Sequence, residues 1–242
     1  MLASTLELPI WIVAVTGVLA AVALIDRMLV PSVRYVMRRR LERAIDRLNQ
    51  RLKLHIQPFK LARRRVLVEQ LLHDPEVLTA IEVHAQTKGV PLAEAQAKAR
   101  RYAREIVPSF STYTYFRVGT RLARRVSQML YRVRLGFVDE AALEKVDRTA
   151  TVVFVINHRS NMDYVLVTYM AAATSALSYA VGEWARVWGL QSLIRSMGAY
   201  FVRRDSGEPL YRRVLARYVH MSTAAGVTQA MFPEGGLTRD GT

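Results

Sequence analysis

The sequence predicts an α/β fold: a largely parallel sheet with flanking helices, preceded by a membrane segment and a helical region. Three observations lead there. Short apolar, β-branched runs at residues 151–156, 178–181, 199–202 and 228–232 have the length and composition of strands. Helical stretches at 164–173, 184–197 and 209–225 separate them, and strands joined through helices pair in parallel by crossover connections. Upstream, a charge-free run at 9–25 precedes a strongly basic block.

Composition narrows the function classes. Hydrophobic residues make up 51% of the 242 and charged residues 23%, enough apolar side chain for a sizeable core and too little charge for disorder. The chain has no cysteine, which removes disulfides, thiolate metal sites and any covalent intermediate on an enzyme thiol. Thirty-five Lys and Arg face 20 Asp and Glu, a formal charge of +15 that favours a polyanionic partner.

In chain order, residues 9–25 as a helix would rise about 26 Å, slightly short of a hydrocarbon core of roughly 30 Å. Leu6, Leu8, Met28 and Leu29 extend the run, and Glu7 without any preceding Lys or Arg argues against a cleaved signal peptide. A retained membrane anchor over 1–33 is the expectation, with a re-entrant segment and a signal peptide as alternatives. Between Arg34 and Arg65 twelve basic residues meet only Glu42 and Asp46, which places this block on the cytoplasmic side. Met37, Leu41, Ile45, Leu48 and Leu52 recur every three or four residues, so the block reads as an amphipathic helix. Its apolar stripe either packs on the body or lies along anionic headgroups. No helix-turn-helix, zinc-finger or RNA-recognition signature accompanies the charge, so an anionic phospholipid membrane is expected and nucleic acid is not.

The helical region continues to 134, punctuated by Pro58, Pro75, Pro91 and Pro108. Pro91 followed by Glu94 early and basic residues late marks a helix start. Tyr113, Tyr115 and Phe116 read as core or membrane-interface packing rather than a ligand cage. Residues 135–242 form the α/β domain, with polar constellations just after the strand ends. In a parallel sheet these loops open on one edge, where ligands bind in such folds.

The first constellation is Asn157, His158, Arg159, Ser160, Asn161, Met162, Asp163, Tyr164. An Asp five positions after a His, across a strand-to-helix turn, can hold one imidazole nitrogen and leave the other to take a proton from a hydroxyl. The bland alternative is a helix start with Asp163 facing the dipole. Ser160 is read as a cap or positioning residue rather than a nucleophile. The second runs from Gly198 to Arg203 and Arg204, whose guanidinium forks suit phosphate oxygens. The third is Pro233, Glu234, Gly235, Gly236, Leu237, Thr238, Arg239; its glycines admit a close backbone approach, and Glu234 could bind a substrate hydroxyl or orient an arginine. His55, His73, His84 and His220 show no metal-ligand spacing, and no phosphate loop or dinucleotide fingerprint is present, so no metal and no cofactor are expected.

Taken in order, these three blocks resemble the membrane-bound glycerophospholipid acyltransferases, marked by His-x-x-x-x-Asp, an arginine block and a Glu-Gly block. Residues 158–164 and 198–204 look most like the glycerol-3-phosphate branch. The resemblance implies transfer of an acyl group from acyl-CoA or acyl-carrier protein to the sn-1 hydroxyl of glycerol 3-phosphate. His158 and Asp163 would be catalytic; Arg159, Ser160, Arg203, Arg204, Glu234, Gly235, Gly236 and Arg239 would bind substrate. The active site would lie on the cytoplasmic face of a membrane. Rival readings are a lysophosphatidic acid acyltransferase and a non-catalytic membrane-associated fragment. Two departures stand out. Leu237 occupies a position where the family commonly has Arg, which removes one cation from the acceptor's phosphate. A fourth, proline-containing block would follow the third, so the domain is expected to be incomplete at its C-terminal end.

Overall fold

The computed structural model describes residues 9, 11, 15–20, 36, 39, 40, 42–134, 136, 137, 139, 141, 142, 145–147, 150–172, 174–182, 190–203 and 206–238. The chain forms two compact units, Met1–Arg51 and Leu52–Thr242. In the first, residues 15–20 and 42–51 are helical. Most of the expected membrane segment lies outside the described residues; among the described ones, no helix is long and apolar enough to cross a membrane.

The second unit begins with a helical layer: α1 (Pro58–Leu61), α2 (Arg64–Leu72), α3 (Pro75–Lys88) and α4 (Leu92–Ile106). Local chemistry fixes their ends. Asp74 caps α3 by accepting from Glu76 N–H at 3.0 Å, and Pro75 occupies the first turn, where its missing N–H costs nothing. Gly89 closes α3 at φ +63°, a left-handed conformation that disfavours side chains. The expected start of α4 at Pro91 is observed. A six-residue π-helix (Thr114–Gly119) then runs into α5 (Thr120–Leu130). In it Tyr115 is fully buried and its hydroxyl accepts from Leu177 N–H at 3.0 Å, whereas Tyr113 is exposed.

The alternating half follows as β1 (Val153–Val155), α6 (Asp163–Ala171), β2 (Ser178–Val181), α7 (Leu190–Ser196), β3 (Tyr200–Phe201), α8 (Pro209–Ala224) and β4 (Gln229–Met231). The sheet is parallel throughout, in the order β1-β4-β2-β3. Successive strand residues face opposite sides, and the two cores divide accordingly. Ala180, Tyr200 and Val202 join the core of α2, α3, α4 and α8. Tyr179, Val181 and Phe201 face the other way, with Leu177, Tyr164, Val167 and Ile194.

One expectation changes. The apolar, β-branched composition of 151–156 suits a buried strand, yet Val153 and Val155 are exposed. β1 is an edge strand whose described pairing is with β4 alone, and only the Phe154 side packs into a core. Continuous β-branched sequence records strand propensity; it does not say how many faces are covered.

Candidate active site

The site grows out of the turn between β1 and α6. His158 is 2% exposed. Its Nδ1 lies 3.1 Å from Asp163 Oδ2, and the same oxygen accepts from Arg159 N–H and Ser160 N–H, each at 2.8 Å. An ionised carboxylate oxygen only accepts, so Nδ1 carries the imidazole proton and Nε2 is left with its lone pair. Asp163 therefore organises the turn and fixes the tautomer together. Ser160 Oγ accepts from Met162 N–H at 3.1 Å, a positioning contact at the entrance to α6.

The block after β4 clasps the histidine's backbone. Glu234 Oε1 accepts from His158 N–H at 3.4 Å, while Thr238 N–H donates to His158 O at 2.8 Å. Gly235, at φ +65°, makes the tight turn between them, and its N–H donates to Phe232 O at 3.1 Å. Thr238 has no counterpart among the residues expected to matter; because its principal bond uses the backbone, no side-chain pattern could have flagged it. Gly236 lies in the same turn, and Leu237 is exposed.

The imidazole is enclosed by aromatic rings. Phe232 lies with its centroid 4.5 Å away, and Tyr164 meets the imidazole edge-on at 5.3 Å. Nε2 is buried and has no hydrogen-bond partner among the described residues. A buried lone pair without a donor is costly, of order 1–3 kcal/mol, and such a cost persists where a ligand's donor is to be received. Tyr164 also lines a cavity of about 300 Å³ with Gly119, Leu122, Val126, Met162 and Ile194. Its walls are almost entirely apolar, suited to a hydrocarbon chain rather than a charged group.

The arginine block lies elsewhere along the same edge. Arg203 Nε and Nη2 donate to Glu105 of α4 at 2.9 and 2.6 Å, and the guanidinium lies 5.2 Å from the ring centroids of both Tyr102 and Tyr211. The Glu105 bonds raise its already high pKa further. The strand order explains the separation. β1 and β4 are neighbours, which brings His158 and Glu234 together, whereas β3 is three strand spacings from β1, about 14 Å at roughly 4.8 Å each. Arg204 and Arg239 lie outside the described residues. Arg159 is exposed and contributes its N–H to Asp163.

Residues 138–242 match the Acyltransferase family model. The chain is 35% identical over 189 residues to a glycerol-3-phosphate acyltransferase of Aeromonas hydrophila, covering 75% of this chain and 23% of that protein. It is 32% identical over 213 residues to the Pseudomonas putida KT2440 protein of the same name, covering 83% and 25%. The corresponding protein of Xylella fastidiosa M23 is 32% identical over 211 residues, covering 83% and 24%. The chain thus spans about a quarter of the length of these relatives. The pairing of His158 with Asp163 is the one the His-x-x-x-x-Asp spacing led us to expect, whereas the Glu-Gly block meets the backbone of His158; residues 138–242 carry an Acyltransferase-family domain, in a chain similar to glycerol-3-phosphate acyltransferases.

Proposed function

We propose that the protein transfers a fatty acyl group from acyl-CoA or acyl-carrier protein to the sn-1 hydroxyl of glycerol 3-phosphate, at the cytoplasmic face of a membrane. The observation that carries this reading is the buried, unpartnered Nε2 of an imidazole whose other nitrogen is fixed by Asp163. His158 Nε2 takes the proton of the acceptor hydroxyl as its oxygen attacks the thioester carbonyl. The tetrahedral intermediate collapses, the C–S bond breaks, and the imidazolium returns the proton to the leaving thiolate. Asp163, anchored by two backbone N–H groups, stabilises the imidazolium throughout. A hydroxyl reaches Nε2 only if a covering side chain gives way, and Phe232 and Tyr164 are the rings against it.

The apolar cavity beside Tyr164 takes the acyl chain. Arg203, Arg204 and Arg239 supply cations for the acceptor's phosphate, Arg203 by exchanging Glu105 for it; Arg159, Ser160 and the turn at Glu234, Gly235 and Gly236 shape the acceptor site. The segment at 9–25 holds the protein at the bilayer into which a long-chain product partitions.

The test is transfer of a labelled acyl group from a thioester to glycerol 3-phosphate in liposomes, with lysophosphatidic acid as a second acceptor. The parent should prefer glycerol 3-phosphate, and His158→Ala should lose about 10²–10⁴-fold in rate while remaining folded. Retained activity in that variant, or preference for the lysolipid, would overturn the assignment.

A further inference from the structure

Tyr164 borders two features that acyl transfer must bring together. On one side it lines the apolar cavity of about 300 Å³; on the other it meets the His158 imidazole edge-on at 5.3 Å. Its ring also packs edge-on against Phe232 at 4.7 Å and, tilted, against Tyr179 at 5.5 Å. Tyr179 lines the cavity too, whereas Phe232 lies against the imidazole at 4.5 Å. A row of rings thus runs from the cavity wall to the imidazole, with Tyr164 in the middle.

The backbone beneath this ring is well anchored. Tyr164 belongs to the first turn of α6, and Thr168 Oγ1 donates to its carbonyl at 2.7 Å. Val165 and Thr168 line the cavity beside it, on the same side of the helix. The ring itself is only half-buried, so a change of rotamer can displace it without disturbing the helix.

The cavity also has a direction. Asn161 and Met162 line it in the turn after β1, at the carboxyl ends of the parallel strands; Met197 lines it just ahead of β3, at their amino ends. A chain whose thioester carbonyl is to approach His158 Nε2 therefore lies with that end beside Tyr164 and its methyl end toward Met197. The carbonyl end meets the Tyr164 ring before it reaches the imidazole.

We propose that Tyr164 is a positioning residue that couples the two features: a chain seated in the cavity turns its ring aside, and this uncovers the buried Nε2 of His158 for the acceptor hydroxyl. While the cavity is empty, the rings keep water from the base. The donor thus arrives before any hydroxyl is activated. A chain shifts the ring because it packs better against the displaced position than against the resting one. The proposal rests on the acyl-transfer reading and adds to it the order of events.

Accessibility of His158 to diethyl pyrocarbonate, which carbethoxylates an exposed imidazole nitrogen, reads the coupling without turnover. His73 and His220 are exposed and His84 is buried, so the chain carries its own references. Peptide mass spectrometry should find His73 and His220 modified, and His158 and His84 protected. Because the chain has no cysteine, Val126→Cys at the cavity wall can be joined to a single alkyl methanethiosulfonate, which places a hydrocarbon chain there with no headgroup to cover the imidazole. The decyl adduct should react at His158 at least about tenfold faster than the methyl adduct, the rise expected when a state populated to no more than roughly 10% becomes the main one. Tyr164→Ala should react at His158 with no chain present while His84 stays protected, which separates local uncovering from loss of the fold. Tyr164→Phe keeps the ring and should protect as the parent does. Equal protection of His158 in the decyl and methyl adducts would overturn the proposal, whether or not Tyr164→Ala folds. So would a parent whose His158 reacts as fast as His73. Neither result touches the catalytic reading, which stands or falls on the turnover of His158→Ala.

Discussion

Two regions of the second unit bury a histidine beside a carboxylate, and they use it differently. In the turn after β1, His158 faces Asp163, whose Oδ2 accepts two backbone N–H groups, and the far ring nitrogen has no partner among the described residues. Where α3, α4 and α8 cross, His84 Nε2 lies 3.7 Å from Glu208 Oε1, but Lys98 lies 2.5 Å from that same oxygen and Tyr102 donates to the other. Those bonds hold the Glu208 carboxyl below its ordinary range although burial pushes it upward, and Tyr102 is pushed up to about 12, by burial first and by Glu208 second. Glu208 is thus engaged by Lys98 and Tyr102, and His84 Nε2 faces protein groups, with Lys98 Nζ 3.5 Å away. A His-carboxylate distance alone does not make a base; what matters is whether the second nitrogen is left for a substrate.

The largest expected effect strikes the first region. Asp163→Asn removes the negative charge from the acceptor shared by three donors and replaces one oxygen with an NH2 donor, which weakens its hold on the tautomer of His158. Acyl transfer should fall by about 10²–10⁴-fold, with a stability loss of order 1–3 kcal/mol in chemical denaturation. His84→Leu should leave the rate within about twofold, since no reacting atom depends on it. A large rate loss at His84 with a small one at Asp163 would invert the comparison.

Glu105→Gln probes the link between the regions, because Glu105 belongs to α4 and holds Arg203 of the arginine block. With Arg203 more than a third exposed, the stability cost should be modest, about 1 kcal/mol after solvent screening. The KM for glycerol 3-phosphate should shift severalfold while kcat changes little, and Glu105→Asp should restore much of it. An equal fall in kcat would instead tie Glu105 to the chemical step.

Acid stability belongs to the crossing helices. Burial raises the Asp74 carboxyl, but paired bonds from Arg217 at 3.0 and 2.7 Å and the Glu76 N–H outweigh it and hold it below its ordinary value. The unfolded chain then binds the proton more readily, so this stabilisation is complete above the ordinary Asp range and is lost as pH falls through the folded value. Asp74→Asn should melt lower than the parent at pH 7, and the gap should close as the solution is acidified. A gap independent of pH would assign the effect to helix capping alone. The smallest change is expected of Thr238→Val. The 2.8 Å bond to His158 O comes from the backbone, and only the 3.4 Å hydroxyl contact is lost. Stability and rate should both stay close to the parent, within about 0.5 kcal/mol.

Much of this was legible in the chain. The four apolar runs are the strands, their pairing is parallel, and α4 begins after Pro91, because strand propensity, crossover geometry and proline's missing N–H are all local. His158 and Asp163 were legible together because five residues across a turn keep the two side chains near each other in any fold that preserves the turn. Strand order is not local. Chain order placed the first, third and fourth loops on one edge, but the sequence β1-β4-β2-β3 decided that Glu234 would meet His158 and that Arg203 would turn to Glu105. The exposure of Val155, the grip of Thr238 on His158 O and the cavity beneath Tyr164 likewise depend on which segments, distant in the chain, come to lie side by side. Sequence alone determined which groups can carry the chemistry, since residue type and short spacing fix reactivity. Only the tertiary structure decided which of them are brought together, since that depends on packing between strands and helices that no short stretch contains.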